Sequence, residues 1–171
     1  DEAKVGKEWL PVGEAEAREE QSMIAKGLVF YGTKWVPPKE ADRLREIDRK
    51  AVGWDCQVRV NTPDLVVYSA MPLGETRHLA GLLQNEVAVY RRFHGKVWPL
   101  EAKSDLKVYL FADHGSFKRR YETSHPGQPV DDAVGGRYLS GDPILYVGGI
   151  EHPGYTPEFR AANSAHEMLH G

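Results

Sequence analysis

Thr156-Pro157-Glu158 opens a segment that continues through Phe159-Arg160-Ala161-Ala162-Asn163-Ser164 to Ala165-His166-Glu167-Met168-Leu169-His170-Gly171. Its first three residues are a helix start: a threonine at the N-cap, a proline in the first helical position and an acid in the first turn. The pattern predicts a helix over 157–171. On it His166 and His170 lie four residues apart, one turn above the other on the same face, so both imidazoles can reach one tetrahedral metal ion. Glu167 sits about 100° around from His166, where a carboxylate addresses a metal-bound water without ligating the metal. Phe159, Ala162, Met168 and Leu169 supply an apolar flank. Ala161, Ala162, Ser164 and Ala165 are small enough for close packing beneath a sheet. With seven His and fifteen Glu in the chain, chance yields such a spacing in about one chain in forty.

Upstream, residues 124–157 hold five of the 11 prolines and seven of the 17 glycines, which marks a loop-rich region. Within it 134–139 and 144–147 read as short strands joined by Ser140-Gly141-Asp142-Pro143. Further upstream, from residue 54, helix and strand patterns alternate. Residues 56–61 and 65–69 are β-rich and flank the turn Thr62-Pro63-Asp64, so a hairpin is expected. Residues 74–94 carry Leu79, Leu82, Leu83, Val87, Tyr90 and Phe93 at helical spacing, with Gly95 placed as a C-cap. Residues 106–112 are apolar enough for a buried strand, and 114–123 read as a short basic helix with Phe117 and Tyr121 inward.

The first 50 residues differ in character. They hold 21 of the 47 charged side chains, and 14–26 and 38–51 read as helices with narrow apolar faces. The first face offers Ala15, Met23 and Ile24, and the second offers Leu44, Ile47 and Ala51. Between them Leu28-Val29-Phe30-Tyr31-Gly32-Thr33-Lys34-Trp35-Val36 is strand-like or tightly packed and aromatic. The division expected is a charged helical N-terminal arm, 1–53, followed by 54–171. Such an arm is either a solvated appendage or a docking surface for a protein partner.

Composition narrows the classes. A chain of 171 residues, 41% hydrophobic and 27% charged, has enough core for a soluble domain without disulfides. Its apolar runs are too short for a membrane span. A net charge of −3 argues against a general nucleic-acid binder. The lone Cys56 builds neither a disulfide nor a thiolate zinc site and reads as a packed, inert strand thiol. The chain opens on Asp1 with no basic-then-apolar leader after it, so a targeting segment is expected to be absent or removed.

Other candidates carry less. His78, His94, His114, His125 and His152 are further imidazoles, but no spacing selects one as a third metal ligand. Asp131-Asp132 lacks the alternating acids of a calcium loop and reads as a solvated turn. Gly135-Gly136 and Gly148-Gly149 match no phosphate or dinucleotide loop. Arg91-Arg92 and Lys118-Arg119-Arg120 read as exposed basic faces.

The segment Val134-Gly135-Gly136-Arg137-Tyr138-Leu139, the turn into Ile144-Leu145-Tyr146-Val147, and Ala165-His166-Glu167-Met168-Leu169-His170-Gly171 together resemble the gluzincin metallopeptidases, the thermolysin-like branch of the zincins. The likeness is closest to bacterial peptidase-like domains of unassigned substrate. It covers 54–171, including the strand that ends in Phe111-Ala112-Asp113. Lys34-Trp35-Val36-Pro37-Pro38 is similar to segments found ahead of such domains. The resemblance implies an α/β (α+β zincin-like) fold: a mixed sheet packed on a long helix and on the C-terminal H-E-x-x-H helix, with a helical N-terminal arm. It implies that His166 and His170 bind one zinc ion, that Glu167 is the catalytic base, and that Gly136, Arg137 and Tyr138 lie on the edge strand that pairs with an extended peptide or protein substrate. The family's third ligand is a Glu on a downstream helix, and here the sequence ends one residue after the motif. The reading is therefore the N-terminal half of a zincin-like domain, whose zinc site a downstream ligand completes. The resemblance also implies an extracytoplasmic location. A catalytically inactive zincin-like chain serving as a structural or interaction subunit remains the alternative.

Overall fold

A computed structural model of the chain describes residues 2–5, 8–94, 106–132, 134–139 and 142–148. The helix expected over 157–171 and the cap expected at Gly95 lie outside these. In chain order the elements are β1 (Glu2–Val5), β2 (Glu8–Pro11), α1 (Val12–Ala25), β3 (Val29–Tyr31), β4 (Lys34–Val36), α2 (Pro38–Val52), β5 (Val58–Asn61), β6 (Leu65–Ser69), α3 (Leu73–His94), β7 (Leu106–Leu110), α4 (His114–Ser124), β8 (Gly136–Leu139) and β9 (Asp142–Val147). The fold class is mixed α/β, with four helices and a mixed five-stranded sheet among the described residues.

The sheet runs β5-β6-β7-β9-β8. The three inner strands are parallel and the two outer ones antiparallel to their neighbours. Strand alternation sorts its side chains onto two faces. One face carries Leu65 and Val67 of β6, Val108 and Leu110 of β7, and Leu145 and Val147 of β9, which pack with Leu79, Leu83 and Val87 of α3. The other carries Tyr109, Phe111 and Tyr146, which pack with Phe117 and Tyr121 of α4 and Val52 of α2, while Tyr68 lies against them. Tyr68, Tyr109 and Tyr146 stand directly opposite one another on three adjacent strands. Their rings meet edge to face at 5.8 and 5.4 Å, geometry that adds about 0.5–1.5 kcal/mol per pair beyond area burial.

The expected hairpin of β5 and β6, the long helix, the buried strand and the short helix are all present, with ends shifted by a few residues. The start of α4 is set by Asp113, an extended residue (φ −138°) whose carboxylate accepts the Ser116 N–H at 2.7 Å, an N-cap. Those hydrogen bonds from Ser116 hold the Asp113 carboxyl below its ordinary pKa. The arm expected over 1–53 is not helical throughout: β1 and β2 form a short antiparallel ladder ahead of α1, and β3 and β4 a second one between α1 and α2.

Residues 27–53 touch the sheet at several points. Val29–Val36 is a hairpin whose two-residue turn is Gly32-Thr33. Gly32 has φ +70° and Thr33 does not share the positive sign, the pattern of a II′ turn with glycine first. The Gly32 N–H donates to the Arg59 carbonyl at 2.7 Å and its own carbonyl accepts from Asn61 N–H at 3.0 Å. The tip of the hairpin thus bridges to the outer side of β5. Helix α2 ends at Gly53 in the left-handed conformation. Arg120 of α4 donates to the Val52 carbonyl at 2.7 Å, a cation at a helix C-terminus.

The apolar faces of the first two helices differ from the expected ones. On α2 the buried residues are Ala41, Asp48 and Val52, with Leu44 half-buried, while Ile47 is 50% exposed and Ala51 is exposed. On α1 Ala15 is buried, Met23 half-buried and Ile24 exposed. The α2 stripe is turned because a carboxylate occupies one of its inward positions.

Gly148, at the end of β9, is where close packing forbids a side chain. A Cβ there would stand 2.7 Å from a ring carbon of Phe117, itself fully buried. Gly148→Ala is expected to destabilise the fold by about 1–3 kcal/mol, as overpacking of a filled core does. Chemical denaturation of the purified variant measures this, and an unchanged midpoint would contradict it.

Candidate functional site

Of the six residues singled out by the sequence, Gly136, Arg137 and Tyr138 are described, and all three lie on β8. His166, Glu167 and His170 lie outside the described residues. β8 is at the end of the sheet, paired on one side with β9. Gly136 faces Val147, Arg137 faces Tyr146 and Tyr138 faces Leu145.

The hydrogen-bond phase of this ladder decides which backbone groups point where. The Gly148 N–H donates to the Gly135 carbonyl at 2.9 Å, which makes 135 and 148 a hydrogen-bonded pair. Such pairs alternate along an antiparallel ladder. Arg137 and Tyr146 are therefore the next hydrogen-bonded pair, and the N–H and C=O groups of Gly136 and Tyr138 are directed away from β9. The Val147 carbonyl agrees, since it accepts from Phe111 N–H on the β7 side at 2.9 Å. After Tyr138 the register shifts, and Leu139 stands opposite Asp142. This irregularity ends the regular part of the edge.

Alternation sends the two long side chains of β8 to opposite faces. Tyr138 packs against the cluster under α3. Arg137 continues the row of Tyr68, Tyr109 and Tyr146, and its guanidinium carbon lies 5.8 Å from the centre of the Tyr121 ring, within cation–π range. Tyr121 is fixed in turn. Its ring meets Tyr146 at 5.4 Å and His125 at 4.6 Å, and its hydroxyl donates to Gln128 at 3.0 Å. Gly136 is buried, and Arg137 and Tyr138 are half-buried.

The remaining imidazoles are dispersed. His78 is exposed on α3, His125 stacks on Tyr121, and a ring nitrogen of His125 lies 3.0 Å from the Tyr121 carbonyl. His114 packs edge-on to Phe117, with Nε2 3.9 Å from a carboxylate oxygen of Asp132. Nothing described bears on the His94 side chain or on His152. Among the described residues, no three His, Cys, Asp or Glu side chains gather as metal ligands. Asp132 is the exposed acid expected. It pairs with the Lys118 ammonium at 2.9 Å, which holds its carboxyl below the ordinary value.

One cluster escaped the sequence analysis. Asp48 of α2, 4% exposed, accepts the Tyr31 hydroxyl at 2.7 Å and takes the Arg59 guanidinium on both carboxylate oxygens at 3.0 Å. Arg59 also lies 5.4 Å from the centre of the Tyr31 ring. The signal is present in the spacing Ala41, Leu44, Asp48, Val52, a helical stripe with one acid in it. Burial, and then the hydrogen bond to Asp48, push the Tyr31 hydroxyl far above its ordinary pKa. Cys56 is fully buried beside this cluster. Burial first, and then the charge of Asp48, push its thiol up to about 11. At neutral pH it is a protonated, inert side chain, in keeping with the sequence reading.

Comparison of the chain with protein-family models, with curated proteins and with solved structures finds no match. Among the described residues, no helix is long and apolar enough to cross a membrane.

Proposed function

We propose that this chain carries the metal-binding and substrate-pairing half of a zincin-like, zinc-dependent peptidase. The observation that carries the proposal is the combination of an H-E-x-x-H spacing in 166–170 with a short antiparallel strand at the end of a mixed sheet. That strand directs the backbone N–H and C=O groups of Gly136 and Tyr138 away from β9. An extended peptide adding to β8 would gain main-chain hydrogen bonds there, and side chains on alternate faces would select its sequence.

The donor set in the sequence would suit zinc: two imidazoles four residues apart, which a third ligand from elsewhere would complete. A zinc ion held there lowers the pKa of a bound water to about 7 and polarises a peptide carbonyl. Glu167 would accept the proton of the attacking water, and β8 would hold the peptide extended across the site. The experiment is metal analysis of the full-length protein. About one zinc per chain is expected, with loss of that zinc on His166→Ala and retention of the fold. A protein that purifies without zinc and takes none up at micromolar zinc would sink the proposal.

A further inference from the structure

Among the described residues, Arg137 is held in place by ring contact alone. Tyr68, Tyr109 and Tyr146 stand in one row across three strands, and Arg137 is the next and last member of that row, at the end of the sheet. Its guanidinium rests over the Tyr121 ring. No described residue gives it a hydrogen bond or a carboxylate partner. Other arginines of this chain are paired: Arg43 with Glu40, Arg49 with Asp55, Arg59 with Asp48, Arg77 with Glu20 and Arg91 with Asp64.

The ladder phase says what would meet it. Arg137 spends its N–H and C=O on β9, so a strand added antiparallel outside β8 bonds to Gly136 and Tyr138 and faces Arg137 as a non-hydrogen-bonded pair. In such pairs the Cα atoms approach to about 4.5 Å and the side chains are nearest. The incoming residue at that position projects to the same face as Arg137, beyond the end of the tyrosine row. A side chain there meets a ring-supported guanidinium that no described residue pairs, for which a carboxylate is the matching charge.

We propose that the peptide partner of β8 carries an aspartate or glutamate at the position opposite Arg137, and that Arg137 selects it. This rests on the reading of β8 as a peptide-pairing strand. It adds the chemical class of the ligand.

The test is binding of fluorescently labelled extended peptides to the full-length Glu167→Gln protein, read by anisotropy. The set carries a single Glu, Gln or Lys at each position in turn of one β-prone host sequence. At one position Glu is expected to bind about fivefold tighter than Gln, with Lys weaker than both. Arg137→Gln should abolish this preference, and Arg137→Glu should turn it toward Lys. Added salt should shrink it. Peptides that bind with no position preferring Glu, or a preference that survives Arg137→Gln, would overturn the inference and leave the β8 reading standing. If no peptide binds, the β8 reading falls and takes the inference with it. Should the Arg137 variants fail to fold, the Glu–Lys contrast on the parent protein decides alone.

Discussion

Glu167→Gln is expected to leave zinc bound to the full-length protein and to lower peptide cleavage by about 10²–10⁴-fold. The amide is nearly the shape of the carboxylate, so the two histidines should keep their zinc. On the proposed reading, what is lost is a base for the proton of the attacking water. The contrast with His166→Ala separates the roles, because that change removes the ion and the activity together. If Glu167→Gln cleaved as fast as the parent, Glu167 would be an ordinary surface acid and the spacing around it a coincidence. If neither variant altered an activity that the parent possessed, that activity would belong elsewhere in the protein.

The largest effect on stability is expected at Asp48. Asp48→Ala leaves the Tyr31 hydroxyl without its acceptor and the Arg59 guanidinium without its carboxylate, in a site where Asp48 is 4% exposed. Breaking a buried pair from one side costs about 3–5 kcal/mol, which for a domain of this size lowers Tm by roughly 6–20 °C. Because Arg59 still reaches solvent, the lower half of that range is expected. Replacing Asp48 and Arg59 together by apolar residues should recover much of the loss, since both uncompensated charges are then gone. A single variant with an unchanged melting point would show the cluster to be idle.

The same cluster sets a pH dependence. In the folded chain Cys56 titrates at about 11 against an ordinary value near 9, and Tyr31 is raised as well. Between these limits the unfolded chain has released its thiol proton and the folded chain has not. The unfolded state then binds fewer protons, and stability falls as pH rises. The contribution is complete below about pH 9 and is lost as pH passes 11. Denaturation midpoints measured across that window should fall for the parent and fall less for Cys56→Ala.

Much of the framework could be read from the sequence because it rests on local patterns. The Thr62-Pro63-Asp64 turn signal pointed to a hairpin, Leu79, Leu83 and Val87 gave α3 its face, and the turn residues Ser140-Gly141-Asp142-Pro143 suggested that the strands on either side pair. Strand order was not legible, since the pairing of β7 between β6 and β9 depends on contacts across some 40 residues. Nor was the inward turn of Asp48, because its partners Tyr31 and Arg59 lie on two other elements and neither flanks it in sequence. For the candidate site, the histidine spacing and the edge-strand residues were visible. That Arg137 ends a row of tyrosines was not, because register is a property of four strands at once.

The bridge from Gly32 to β5 has a consequence for association. A sheet can polymerise edge to edge only if both of its ends accept a strand. Here a hairpin tip occupies the outer side of β5, with Gly32 donating to Arg59 and accepting from Asn61, so growth from that end is blocked. Among the described strands, that leaves β8 as the one end at which a further strand could add. Two copies meeting edge to edge would then pair β8 with β8, and such a contact closes on itself rather than extending.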